Sequence, residues 1–164
     1  MMISKAMNAK LNEQIAAEFA AAHKYLAMAC AFDGMGLKIL ANRFEQQYKE
    51  ETEHAVKILH YVREVGGTVT LSDTPKPSGP YTDAEAIVKA ALDGEHDITR
   101  RINDLAALAD AENDYATRSF LTWFIDEQVE EVASMTDLLA LVRLAKGNML
   151  QVEARVRHDM VAGQ

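Results

Sequence analysis

The chain has 164 residues, 49% hydrophobic and 26% charged, with a formal charge of −8 and no basic run. That is enough for one domain with a sizeable core, and the acidic balance excludes nucleic acid and anionic membranes as natural partners while favouring cations. One cysteine, Cys30, leaves no intrachain disulfide and no cysteine-rich zinc or iron–sulfur site; a small buried side chain is its expected role.

The N-terminal MMISKAMNAKLNEQ turns polar too soon for a signal peptide, and no apolar run approaches a membrane span. A cytoplasmic protein is expected. Abundant Ala and Leu with few Pro and Gly favour helices. The first helix is expected over about 4–33, with Ser4 as N-cap and Gly34 and Gly36 as the stop. The second runs over about 37–64 to Gly66-Gly67. The third covers about 83–111, opened by a T-x-x-E capping box of Thr82 and Glu85. The fourth spans about 115–145 and stops at Gly147; a short amphipathic fifth covers about 148–160. The segment Thr68 to Leu71 alternates like a strand but is too short and has no partner.

Tight connections make the first and second helices antiparallel, and likewise the third and fourth. The connection from Gly66 to Thr82 is long and holds all three prolines, Pro75, Pro77 and Pro80. Extended, it spans roughly 56 Å, more than the roughly 42 Å of a 28-residue helix. It can therefore cross the whole bundle. The expected fold is all-α: a single domain over 1–164, a four-helix bundle with one long crossover and a short fifth helix, the ferritin-like arrangement.

The apolar seam of each helix is interrupted near its middle. The interrupting residues are Glu18 in the first helix, Glu51 and His54 in the second, Glu95 in the third, and Gln128 and Glu131 in the fourth. The spacing repeats: 33 residues separate Glu18 from Glu51, and 33 separate Glu95 from Gln128. Each second helix adds a partner three positions on, on the same face. A Glu from each of two helices with an E-x-x-H-like pair from each of two others is the di-iron carboxylate plan. No Lys or Arg sits in these seams, and two divalent cations would offset four carboxylates. Oxygen-rich ligands with a single imidazole suit iron or manganese. The alternative is a partly hydrated polar layer that fixes helix register. It accounts for any one of these residues, but poorly for six in register across four seams.

The motifs LNEQIAAEFAAAHKY (Leu11–Tyr25), KEETEHA (Lys49–Ala55), EHDITRRINDLA (Glu95–Ala106) and WFIDEQVEE (Trp123–Glu131) resemble a bacterial non-haem ferritin over nearly the whole chain. The resemblance implies an iron-storage ferroxidase that oxidises Fe²⁺ with dioxygen or hydrogen peroxide and mineralises the product inside a homo-oligomeric shell of 24 subunits. It implies that Glu18, Glu51 and His54 hold a first iron, that Glu51 bridges, and that Glu95, Glu131 and Gln128 serve a second. It makes Glu50, Glu127 and Glu130, with Glu131, a third iron site; on spacing alone the first three read as a solvated acidic face. It makes Tyr25 and Trp123, otherwise read as core aromatics, partners of the di-iron site.

The second half-site lacks a nitrogen ligand, so a weaker, exchangeable second metal is expected there. That argues against a bacterioferritin. Haem is not expected, because Thr52 stands where the haem-ligating methionine would follow Glu51. Arg118 and Leu121 stand where animal ferritins line a three-fold pore with carboxylates, which puts that iron route in doubt. A rubrerythrin-like peroxidase would need a cysteine-ligated iron domain, and a DNA-coating mini-ferritin would lack the fifth helix. A scaffold bundle without metal is the non-catalytic alternative. His23, His60, His96 and His158 read as surface or interface residues, and the methionines as packing.

Overall fold

The computed structural model describes residues 2–79 and 81–162; Pro80, the third crossover proline, lies outside them. Five helices follow in order: α1 (Lys5–Gly34), α2 (Lys38–Glu64), α3 (Ala84–Ala111), α4 (Tyr115–Leu144) and α5 (Met149–Ala162). No strand occurs among the described residues.

Local chemistry sets the helix ends. Ser4 caps α1, its hydroxyl accepting from the Met7 N–H at 2.9 Å. At α3 the cap is Asp83 rather than Thr82: Asp83 Oδ1 accepts from the Ala86 N–H at 2.8 Å. The expected capping box is thus replaced by a single carboxylate cap, because Asp83 is the better acceptor at the positive end of a helix and Ala86, three residues on, has no side chain to return the bond. α2 has no side-chain cap of its own. Glu153, far away on α5, accepts from the Leu40 N–H at 2.8 Å and supplies the missing acceptor.

Two apolar clusters show how the helices run. One joins Tyr25 to Phe32 at the end of α1, Leu37 to Phe44 at the start of α2, Ala84 to Ala91 at the start of α3, and Met135 to Val142 at the end of α4. The other joins Ile3 to Ile15 with Ile58 to Val65, Ile98 to Ala109, Leu121 and Phe124. The starts of α2 and α3 therefore share one end of the bundle, and their final turns share the other. They are parallel, as the long crossover requires. Val152 and Val156 of α5 are buried in the first cluster.

The crossover is tied to α1 by amide side chains. Asn8 Oδ1 accepts from the Thr68 N–H at 2.9 Å, and Asn12 Oδ1 accepts from the Thr70 N–H at 2.6 Å. Asn12 Nδ2 donates to the Thr68 carbonyl at 2.9 Å. This close approach explains Gly67, where a Cβ would lie 2.4 Å from Asn8 Oδ1. Phe32, Phe44 and Phe124 are essentially fully buried, and truncating one such ring to alanine costs about 3–5 kcal/mol.

Cys30 differs from its expected place in the core: it is exposed. It sits beside the buried Met28 and Ala29, one step around the helix from the apolar face.

Moving the α3 cap has a measurable consequence. Asp83→Ala is expected to lower stability by about 1 kcal/mol, with Thr82→Ala close to unchanged, in chemical denaturation. The reverse order would restore the cap to Thr82.

Candidate metal centre

Between the two apolar clusters lies a layer of buried polar side chains. Glu18, Glu51, His54, Glu95, Gln128 and Glu131 are all buried, Glu18 completely. Each occupies the next step of its helix's inward face, so the same periodicity that packs the core carries these groups into it.

The first half of the layer is Glu18, Glu51 and His54. One ligand atom from each lies within 4.8 Å of the other two. His54 Nδ1 stands 3.4 Å from Glu51 Oε2 without the alignment of a hydrogen bond. Glu18 Oε2, both carboxylate oxygens of Glu51 and His54 Nδ1 are buried with no hydrogen-bond partner among the described residues. Orphaned buried polar atoms are rare in native structures and call for an explanation. Four of them converging, all electron-pair donors when Glu is ionised and His neutral, fit a hard divalent cation.

The second half is different. The Tyr25 hydroxyl donates to Glu95 Oε1, and Gln128 Nε2 donates to the Glu95 carbonyl at 3.2 Å and to Glu95 Oε2 at 3.3 Å. Gln47 Nε2 donates to Glu131 Oε2 at 2.8 Å. Protein donors thus already satisfy part of this half-site, whereas the first is left open. Gln14 touches the first half, donating to Glu18 Oε1 at 2.7 Å.

Electrostatics follow from burial. Desolvation, then the Glu51 charge, pushes Glu18 well above the ordinary carboxylate range. Desolvation, then Glu95, does the same to Glu51. Desolvation raises Glu95 against the lowering effect of its Tyr25 and Gln128 hydrogen bonds. Glu131 is pushed up to about 7, by desolvation first and the Glu95 charge second. Burial and Glu95 also raise the Tyr25 phenol, which holds its proton. Among the described residues, no Lys or Arg nitrogen lies within 4 Å of these four carboxylates. Arg43 is partly buried but donates to Ser134 Oγ at 2.7 Å.

The remaining expected residues are dispersed. Glu50 and Glu130 are exposed and Glu127 is half-buried. They form no ligand cluster like that of Glu18, Glu51 and His54. Glu127 Oε2 lies 4.0 Å from His54 Nε2, and Glu50 and Glu127 share a surface groove of about 660 Å³ with His54. Trp123 is 38% exposed, so it is no core aromatic. It stands edge-on to the His54 ring at 5.4 Å, with Lys57 Nζ 3.8 Å over its face. Tyr25 is buried, as expected.

Sequence reasoning missed Gln14 and Gln47. Both are buried and both orient a carboxylate. The signal was present: they are 33 residues apart, like Glu18 and Glu51. Apolar Tyr48 was the more natural choice for the inward position, but it is only partly buried and Gln47 is the residue turned in.

The sequence model of the Ferritin family, described as a ferritin-like domain, matches residues 8–145. The chain belongs to the ferritin family. Its function is iron storage. This ferritin is 41% identical over 130 residues to the bacterial non-heme ferritin of Staphylococcus haemolyticus, covering 79% of this chain and 78% of that one. It is 35% identical over 155 residues to ferritin BfrB of Mycolicibacterium smegmatis, covering 94% and 86%. Its fold matches a crystal structure of an open pore ferritin from Archaeoglobus fulgidus with a TM-score of 0.92 at 37% identity, covering 94% and 96% of the two chains. Among the described residues no helix is long and apolar enough to cross a membrane.

The raised carboxylates make metal-free stability depend on pH. In the folded chain they hold protons that the unfolded chain releases above 4.5, the ordinary Glu value. Their contribution is full below that value and is lost as pH rises through the folded values, about 7 for Glu131. Denaturation midpoints of metal-free protein should therefore fall across this window, and less steeply in Glu131→Gln. Equal slopes in the two proteins would show that Glu131 is not held protonated.

Proposed function

We propose that this ferritin is a ferroxidase whose substrate, ferrous iron, binds the buried carboxylate layer in pairs and leaves as ferric iron for storage. The observation that carries this is the set of unpartnered buried donor atoms on Glu18, Glu51 and His54. Each ferrous ion gives up one electron; two electrons and two protons turn dioxygen into hydrogen peroxide, or hydrogen peroxide into two waters.

The side chains divide the work. Glu18, Glu51 and His54 form the tighter half-site, since no protein donor competes there except Gln14 on Glu18 Oε1. Glu51 has both oxygens free and Glu95 and Glu131 as charged neighbours, which suits it to bridge the two halves. Glu95, Gln128 and Glu131 form the looser half, because metal there competes with Tyr25 and Gln47 for carboxylate oxygens. Looser binding suits an ion that must depart after oxidation. Tyr25 serves as a partner of the centre, its hydroxyl orienting Glu95 through the existing hydrogen bond. Glu50, Glu127 and Glu130 serve as a third iron site beside the centre, with the His54–Glu127 approach linking the two regions. Metal binding also removes the charge penalty of the layer, so iron stabilises the fold it visits.

The shell is proposed to be a homo-oligomer of 24 cytoplasmic subunits, in keeping with the ferritin architecture. Iron with dioxygen or hydrogen peroxide are its only proposed substrates, and no haem is assigned.

Glu51→Ala and His54→Ala are each expected to slow rapid ferrous oxidation by about 100-fold or more while the shell still assembles, measured by stopped-flow absorbance and light scattering. Wild-type rates in either variant would reject its assignment. Gln47→Ala removes a competitor for Glu131 Oε2 and is expected to tighten the looser half-site in anaerobic ferrous titration, leaving the tighter one unchanged. Glu130→Ala should spare the first oxidation and alter later turnover; an unchanged full progress curve would remove the third site.

A further inference from the structure

Between α1 and α3, beside Pro75 of the crossover, lies a cavity of about 240 Å³. Small side chains wall it: Ala17 and Ala21 from α1, Ala91 and Gly94 from α3. Its lining also includes Tyr25 and Glu95, the hydrogen-bonded pair of the looser half-site. It therefore reaches the buried polar layer. The acidic groove beside His54 is formed instead by α2 and α4.

Gly94 is the residue that packing does not explain. It lies within α3, where glycine costs about 1 kcal/mol relative to alanine. A Cβ there would meet nothing within 4 Å, and the backbone is not left-handed. Neither close approach nor strain requires a glycine. What its missing side chain provides is open space next to Glu95.

The charges lining this cavity differ from those of the groove. Lys24 and Arg101 line the cavity with Asp97, whose carboxylate accepts from Arg101 Nε at 2.8 Å and also from Arg100. With Glu95 counted, two cations face two carboxylates, so the lining carries no excess negative charge to draw in a ferrous ion. The groove on the other side carries Glu50, Glu53, Glu64 and Glu127 against Lys57. Apolar walls and a charge-balanced lining suit a small neutral molecule better than a metal ion.

We propose that this cavity is the passage by which dioxygen reaches the buried centre, apart from the acidic side that attracts ferrous iron. The proposal rests on the ferroxidase reading above. No bond is made or broken in the passage; the oxidant is only admitted and held next to Tyr25 and Glu95.

The test uses the assembled full-length protein and two variants from opposite walls, Gly94→Leu and Ala21→Leu. Single-turnover ferrous oxidation is followed at several dioxygen concentrations, beside anaerobic ferrous titration. At least one folded variant is expected to raise the apparent KM for dioxygen severalfold, with ferrous stoichiometry and ferrous KM unchanged. Crystals of the wild-type protein under xenon pressure are expected to show xenon between α1 and α3, and Gly94→Leu crystals are expected to lose it. Unchanged oxygen dependence in both variants, with native melting behaviour and normal wild-type activity, overturns the passage alone. Xenon absent from the wild-type cavity overturns it as well. Wild-type protein that oxidises ferrous iron with hydrogen peroxide but not dioxygen also overturns the passage alone, and protein that uses neither oxidant overturns the ferroxidase reading and the passage with it.

Discussion

Four carboxylates buried between two apolar cores, with no Lys or Arg nitrogen within 4 Å of them among the described residues, are the constraint on which this structure turns. A buried unpaired charge costs several kcal/mol, and neighbouring like charges add to it. The bundle tolerates this because each end carries a complete apolar cluster, one with Phe32 and Phe44 and the other with Ile58 and Phe124. Stability lies at the two ends and the chemistry lies in the middle. Two states relieve the layer: protonation, seen in the raised values of all four glutamates, or occupation by cations. The proposed function uses the second of these.

The layer is asymmetric in a way that serves storage. On one side, Glu18, Glu51 and His54 leave four donor atoms without partners. On the other, Tyr25, Gln128 and Gln47 satisfy Glu95 and Glu131 in advance. A symmetric site with two imidazoles would hold both metals as a resident cofactor. Under the proposed function one half retains metal and the other exchanges it, so that iron is handled as cargo. Trp123 stands edge-on to His54 with the Lys57 ammonium over its face, and all three line the acidic groove.

Much of this was legible in the sequence because helical period acts on polar and apolar residues alike. The seams placed Glu18, Glu51, His54, Glu95, Gln128 and Glu131 inside, and all six are inside. Loop length implied the crossover, and the end-to-end sharing of the two cores bears it out. What escaped was set by small rotations and by tertiary contact. Gln47 and Tyr48 are adjacent on the helix, and hydrophobicity favoured the tyrosine although the amide has a carboxylate to hold. Cys30 and Trp123 lie just off the apolar face, where composition suggested burial and geometry gave exposure. The cap of α2 comes from Glu153, a partner that no local pattern reveals. The α1–α3 cavity likewise depends on which small residues face one another.

The most direct measurement of the central claim is the number of protons released when metal binds. Anaerobic ferrous titration by calorimetry, repeated just below neutral pH in two buffers of different ionisation enthalpy, gives that number. Carboxylates kept protonated by burial must give up protons as cations replace them, so release is expected, and less of it in Glu131→Gln. Ferrous binding without proton release, or no binding at all, would contradict the account.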